Sequence, residues 1–165
     1  MSEFAKYIGI PWEAGSQGPH AYDCMAFFRL IQVEHFKIEV PAIIAPDYED
    51  AGTLVELFGN HEERLRWHRV ALPSHGDAVM IRRPMHVGTW LDIDGGGVLH
   101  CVRGAGVVFT SDAAWRMSGF GRREFYAFGC SPETRSPDAA QAESGGLRGE
   151  ILDSAIAASR LQGPV

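Results

Sequence analysis

The 165-residue chain contains no run of 18 apolar residues, so no segment of it reads as a membrane-spanning helix. It is short of positive charge. Its 15 Lys and Arg against 21 Asp and Glu give a net charge of -6, which argues against nucleic acid as a partner, because phosphate binding needs a basic surface. The first residues, "MSEFAKYIGIPW", lack a basic stretch followed by a long apolar one, so no signal peptide is expected. Cysteine is scarce as well: Cys24, Cys101 and Cys130, odd in number and widely spaced, suit neither a disulfide framework nor a structural zinc site. Reduced thiols are expected. Aromatic residues vanish after Phe128, although the chain has 9 Phe, 4 Trp and 4 Tyr. The stretch 131–165, rich in Ser, Ala, Gly and Pro, cannot bury much area and reads as a flexible tail with a short helix at 150–160. Residues 1–130 are then one folded domain.

Within that domain, Gly9, Pro11, Gly15, Gly18 and Pro19 mark an irregular entry loop. The stretch from Cys24 to Lys37 reads as a helix, with Phe27, Phe28, Leu30, Ile31 and Phe36 supplying a broad apolar side and Asp23 as its N-cap. "DAGTLVELFGNHEERL", from Asp50, reads as a second helix. The hydrophobic period then changes. "DAVMIR" (77–82), "HVGTWLD" (86–92), "GVLHCV" (97–102), "GVVFTS" (106–111) and "REFYAF" (123–128) read as short strands, with a helical turn at "DAAWRM". Helices followed by an antiparallel sheet predict an α+β fold.

Cys24 lies at the first turn of its helix, although packing alone would accept a cysteine anywhere in the run. Helix N-terminal amides favour an anion by roughly 0.3–1 kcal/mol, so the place is expected to lower the thiol pKa and to offer amides to an oxyanion. Taken alone, such a cysteine is more often a small buried apolar residue. A nucleophile also needs a base. His86 opens one strand and His100 lies in the next, across "IDGGG". A hairpin loop of three or five residues centred on Asp94 sets His100 opposite Gly88, on the same face as His86 and diagonal to it. An even loop separates the two rings onto opposite faces. The roles expected are His86 as base to Cys24 and His100 as the group orienting His86. A zinc site built from His61, Asp77, His86 and His100 is the alternative, but no HxxxH or CxxC spacing supports it. Trp12 is a candidate for lining a substrate groove, and Trp90, on the His86 face, for core or cleft wall.

The segments "YIGIPWEAGSQGPHAYDCMAFFRL", "IEVP", "HGDAVMIRRPMHVGTWLDIDGGGVLHC" and "REFYAF", taken in order, resemble the NlpC-type papain-like cysteine peptidases. The nearest branch is that of phage tail-assembly and cell-wall peptidases. The resemblance implies a papain-like fold, with N-terminal helices packed on a small antiparallel sheet, and a triad of Cys24, His86 and His100. It further implies that Tyr22 helps to shape the substrate site and that Asp23 contacts a free amine of the substrate. That substrate is the stem peptide of bacterial peptidoglycan, and the chemistry needs no cofactor. The chain departs from wall-active members by carrying Met25-Ala26 after the cysteine, where Ser-Gly is common. A protein made in the cytoplasm and built into a phage tail, or released on lysis, fits the lack of a visible export signal. The rival expectation is a structural tail-assembly component with the same fold and little or no activity, whose partners are other tail proteins. Acyl transfer to lipid is a third reading, disfavoured by the lack of apolar membrane-facing segments.

Overall fold

The computed structural model describes residues 2–41, 66–83 and 85–129. These form an α+β unit with few helices and one antiparallel sheet. Helix α1 (Ser2–Ala5) is a single turn, and α2 (Cys24–Phe36) is the one long helix among the described residues. Six strands follow: β1 (Trp67–Val70), β2 (Ala78–Arg82), β3 (Met85–Leu91), β4 (Gly97–Val102), β5 (Gly106–Ser111) and β6 (Arg123–Phe128). Their order across the sheet is β1-β6-β2-β3-β4-β5, every neighbouring pair antiparallel. The helix expected from Asp50, Cys130, and the expected tail with its helix at 150–160 lie outside the described residues. Sequence periodicity did not mark α1 or β1.

Helix α2 begins where Asp23 Oδ1 accepts from the Ala26 N–H at 2.7 Å, satisfying one of the first-turn donors. It ends at Lys37 in the left-handed region, where the Ile38 N–H returns to the Gln32 carbonyl. The helix is apolar on more than one side because it feeds two clusters. Phe27 and Ile31 pack with Phe4, Tyr7, Leu91, Leu99, Cys101 and Val107, whereas Met25 and Phe28 pack with Val40, Ala78 and Val87. Buried Gln32 pegs helix to sheet, donating to the Gly76 carbonyl and Thr89 Oγ1.

Strand alternation sorts β3 into two faces. Val87, Thr89 and Leu91 meet α2, as their shared clusters and the Gln32–Thr89 bond show. His86, Gly88 and Trp90 face the other side. There, Trp90, Val79, Ile81 and Val98 are covered by Trp115 and Phe120 from the β5–β6 connection, in which Trp115–Met117 forms a 3-10 turn. The sheet is therefore packed on both faces. The entry loop is tied to edge strand β5 by Gly9 N–H to Val107 O and Val107 N–H to Ile10 O. Only glycine serves at Gly106 (φ +74), since a Cβ there would lie 2.4 Å from the Ile10 oxygen. Further bonds from Tyr22 N–H to Pro11 O and from Asp23 N–H to Ser16 O fix the head of α2.

Candidate active site

The β3–β4 hairpin has a five-residue loop, 92–96, and pairs Thr89 with Leu99, Trp90 with Val98 and Leu91 with Gly97. Extending that register sets Gly88 opposite His100, the odd-loop arrangement. Gly88 leaves the room the rings need: a Cβ on it would lie 2.6 Å from Val98 Cγ1 and 3.0 Å from His100 Cβ. His86 Nε2 and His100 Nδ1 are 3.0 Å apart, with ring centroids at 5.0 Å. The second nitrogen of His100, Nε2, meets Thr110 Oγ1 at 2.9 Å. Among the described residues, nothing hydrogen-bonds to His86 Nδ1.

The β3–β4 ladder stops at Thr89–Leu99, and Cys24 meets β3 just beyond that point. Trp90 donates its N–H to Asp77 O on the β2 side. By alternation, the Val87 N–H points the opposite way, into the gap where β4 has parted from β3. The Val87 N–H, together with the backbone N–H groups of Cys24 and Met25 at the head of α2, favours the thiolate of Cys24. Val87, whose N–H acts on the thiol, is the residue next to His86 in β3. Among the described residues, no hydrogen bond joins the thiol directly to either imidazole.

Electrostatically the site differs from the sequence expectation of a lowered thiol pKa. The Cys24 thiol is pushed up to about 11, by burial first and then by the adjacent Asp23 carboxylate, with three N–H groups pulling it back only in part. The helix terminus acts in the expected direction, but desolvation of the thiolate outweighs it. Burial likewise holds His86 down at about 4. Burial, followed by the neighbouring His86, holds His100 at about 3. At neutral pH the site therefore rests as a thiol beside two neutral imidazoles.

The remaining candidates are placed as follows. Asp23 is fully buried, with Oδ1 in the cap and Oδ2 without a hydrogen-bond partner. Tyr22 packs as core: its ring meets Phe27 edge-on, and its carbonyl accepts from the Cys101 thiol at 3.3 Å. Trp12 is half-buried against the same cluster, under the Arg103 guanidinium at 5.1 Å. Trp90 is buried. Among the described residues, no group of three or more His, Cys, Asp or Glu is arranged to hold a metal ion, and His61 lies outside them.

Three residues near the histidines were not singled out from sequence. Phe120 lies nearly parallel to His86 (9°, centroids 6.2 Å) and 5.0 Å from His100, and Trp115 stands 6.0 Å from His100. Thr110 is the third. Its place follows from the β4–β5 register, in which Val98 pairs with Thr110 and His100 with Val108. The same loop arithmetic that related His86 to His100 reaches it, carried one hairpin further. Neither a scan of protein-family models nor a search of curated proteins gives a match to the chain.

Proposed function

We propose that the chain is a cysteine peptidase of the NlpC type, with a papain-like fold, that hydrolyses peptide bonds in peptidoglycan stem peptides and serves in a phage tail or prophage setting. The observation that carries this reading is the paired ring system of His86 and His100. The N–H of Val87, the residue next to His86, acts on the thiol that heads α2, at the end of the β3–β4 ladder, and this supports the reading.

In this reading the thiol proton passes to His86 Nδ1 as sulfur attacks the substrate carbonyl carbon, and the resulting oxyanion is met by amides at the head of α2. The C–N bond then breaks, with the proton moving from His86 to the leaving amine and an acyl-thioester remaining on Cys24. Water attacks the thioester, His86 receives and returns the proton, and the thiol and a carboxylate product are released. Because the resting pair is neutral, proton transfer accompanies attack rather than preceding it as a standing ion pair. The buried, unpartnered Asp23 Oδ2 is the group assigned to a substrate amine. Trp12, in the entry loop, is assigned to line the substrate groove, and Tyr22 acts through the backbone it fixes.

The structural reading, a tail component with little or no activity, draws support from the packing of Cys24 against Met25, Phe28, Val40, Ala78 and Val87, a burial that disfavours the thiolate. Digestion of purified peptidoglycan by wild type and by Cys24→Ala, with released fragments identified by mass, separates the two. The peptidase reading expects fragments that depend on Cys24; none from several wall chemotypes would leave the structural reading standing.

A further inference from the structure

We propose that Thr110 is a positioning residue, the terminal hydrogen-bond acceptor that holds His100, and through it His86, in the protonation pattern that receives the Cys24 proton. The inference rests on the Cys24–His86 reading of the site and adds a residue to it. His100 is 0% exposed and both of its ring nitrogens are engaged, Nδ1 with His86 and Nε2 with Thr110. A neutral imidazole carries one proton, so the direction of one hydrogen bond fixes the other.

Two arrangements fit the resting chain. In the first, His86 Nε2–H donates to His100 Nδ1, and His100 Nε2–H donates to Thr110 Oγ1. His86 Nδ1 is then bare and able to take the thiol proton. In the second, every bond is reversed: Thr110 O–H donates to His100 Nε2, His100 Nδ1–H donates to His86 Nε2, and the His86 proton sits on Nδ1. In that arrangement Nδ1 already carries a proton and cannot take the one from the thiol.

Proton transfer removes the ambiguity. Once His86 has taken the thiol proton, both of its nitrogens carry hydrogen. His100 Nδ1 must then accept, its Nε2 must carry the proton, and the hydroxyl oxygen of Thr110 is the acceptor that meets it. Thr110 itself is half-buried, at the rim of the site rather than within it. A hydroxyl is needed rather than the methyl of valine, because an unmet N–H on a fully buried ring costs roughly 10- to 100-fold in rate.

The test compares wild type, Thr110→Val and Thr110→Ser. The readouts are the rate of iodoacetamide alkylation at Cys24, located by peptide mass, and nitrogen NMR of labelled histidine. Thr110→Val is expected to slow Cys24 alkylation at neutral pH by roughly tenfold or more, with Thr110→Ser restoring it. The wild-type spectrum is expected to show His100 protonated on Nε2. Equal alkylation in all three proteins, or His100 protonated on Nδ1 in the wild type, overturns the proposal. The wild-type spectrum decides alone where Thr110→Val does not fold. Neither readout uses peptidoglycan. Normal wall digestion by Thr110→Val removes the role of Thr110 and leaves the peptidase reading. A Thr110 effect on alkylation without any wall digestion does the reverse.

Discussion

The Asp23 carboxylate places one oxygen in the α2 cap and buries the other without a partner, immediately before the thiol. It therefore acts on Cys24 in two opposed ways. It organises the helix terminus whose amides favour the thiolate, while its negative charge raises the thiol pKa. Asp23→Asn keeps a capping side chain and removes the charge, since Asn caps about as well as Asp. The expected outcome is a lower Cys24 pKa, seen as a shift toward lower pH in the pH dependence of alkylation. An unchanged or upward shift would mean that the Asp23 charge does not reach the sulfur. Cys101 provides an internal comparison: burial pushes its thiol up to about 12, and its sulfur donates to the Tyr22 carbonyl. It is expected to label more slowly than Cys24.

At the scale of elements, the hairpin β3–β4 makes the site, and Gly88 is the residue on which its geometry turns. A Cβ at Gly88 would press on Val98 Cγ1, His100 Cβ and the Leu99 oxygen, one of them backbone. Gly88→Ala is therefore expected to destabilise the protein by about 1–3 kcal/mol, the usual cost of overpacking, measured by urea unfolding. Stability equal to wild type would show that the strands part easily at this point. The hairpin was legible up to its parity: period-2 alternation puts His86 and His100 on one face for an odd loop and on opposite faces for an even one, and the observed register decides for the odd loop. Helix α2 was legible through Asp23 and its apolar run. What escaped was set by partners distant in sequence. Strand β1 has only four residues and pairs along one edge with β6, whose position no local pattern discloses. Phe120 and Trp115 lie in a connection with no periodicity, so their place over the histidines depends on how that connection folds back across the sheet. The thiol pKa was misjudged for a related reason. The helix terminus is a local feature, whereas the burial that outweighs it comes from Met25, Val87 and the strands around them.

For the whole molecule, the two histidines link the site to stability. His86 and His100 are 8% and 0% exposed and stay neutral well below the ordinary histidine value. As pH falls below about 6.5, the unfolded chain takes up protons at these positions while the folded protein does not, so protonation favours unfolding. The sign is a stability fully present above about pH 6.5, lost as pH falls toward about 4 for His86 and about 3 for His100. Each histidine contributes a slope of about 1.4 kcal/mol per pH unit within its window. Replacing both with Asn is expected to flatten the decline in unfolding free energy between pH 6.5 and 4.5, measured by urea titration at several pH values. An equally steep decline in the double variant would assign acid sensitivity to other groups.

The central claim is that Cys24 gives its proton to His86 in the opening between β3 and β4. The most direct measurement is the rate of Cys24 alkylation at neutral pH in wild type and His86→Ala, with the modified residue identified by peptide mass and folding checked by thermal unfolding. The expected result is a Cys24 rate above that of Cys101 in wild type, falling by roughly a hundredfold or more in folded His86→Ala, the lower end of what a positioned base supplies. Equal Cys24 rates in the two folded proteins would contradict the claim.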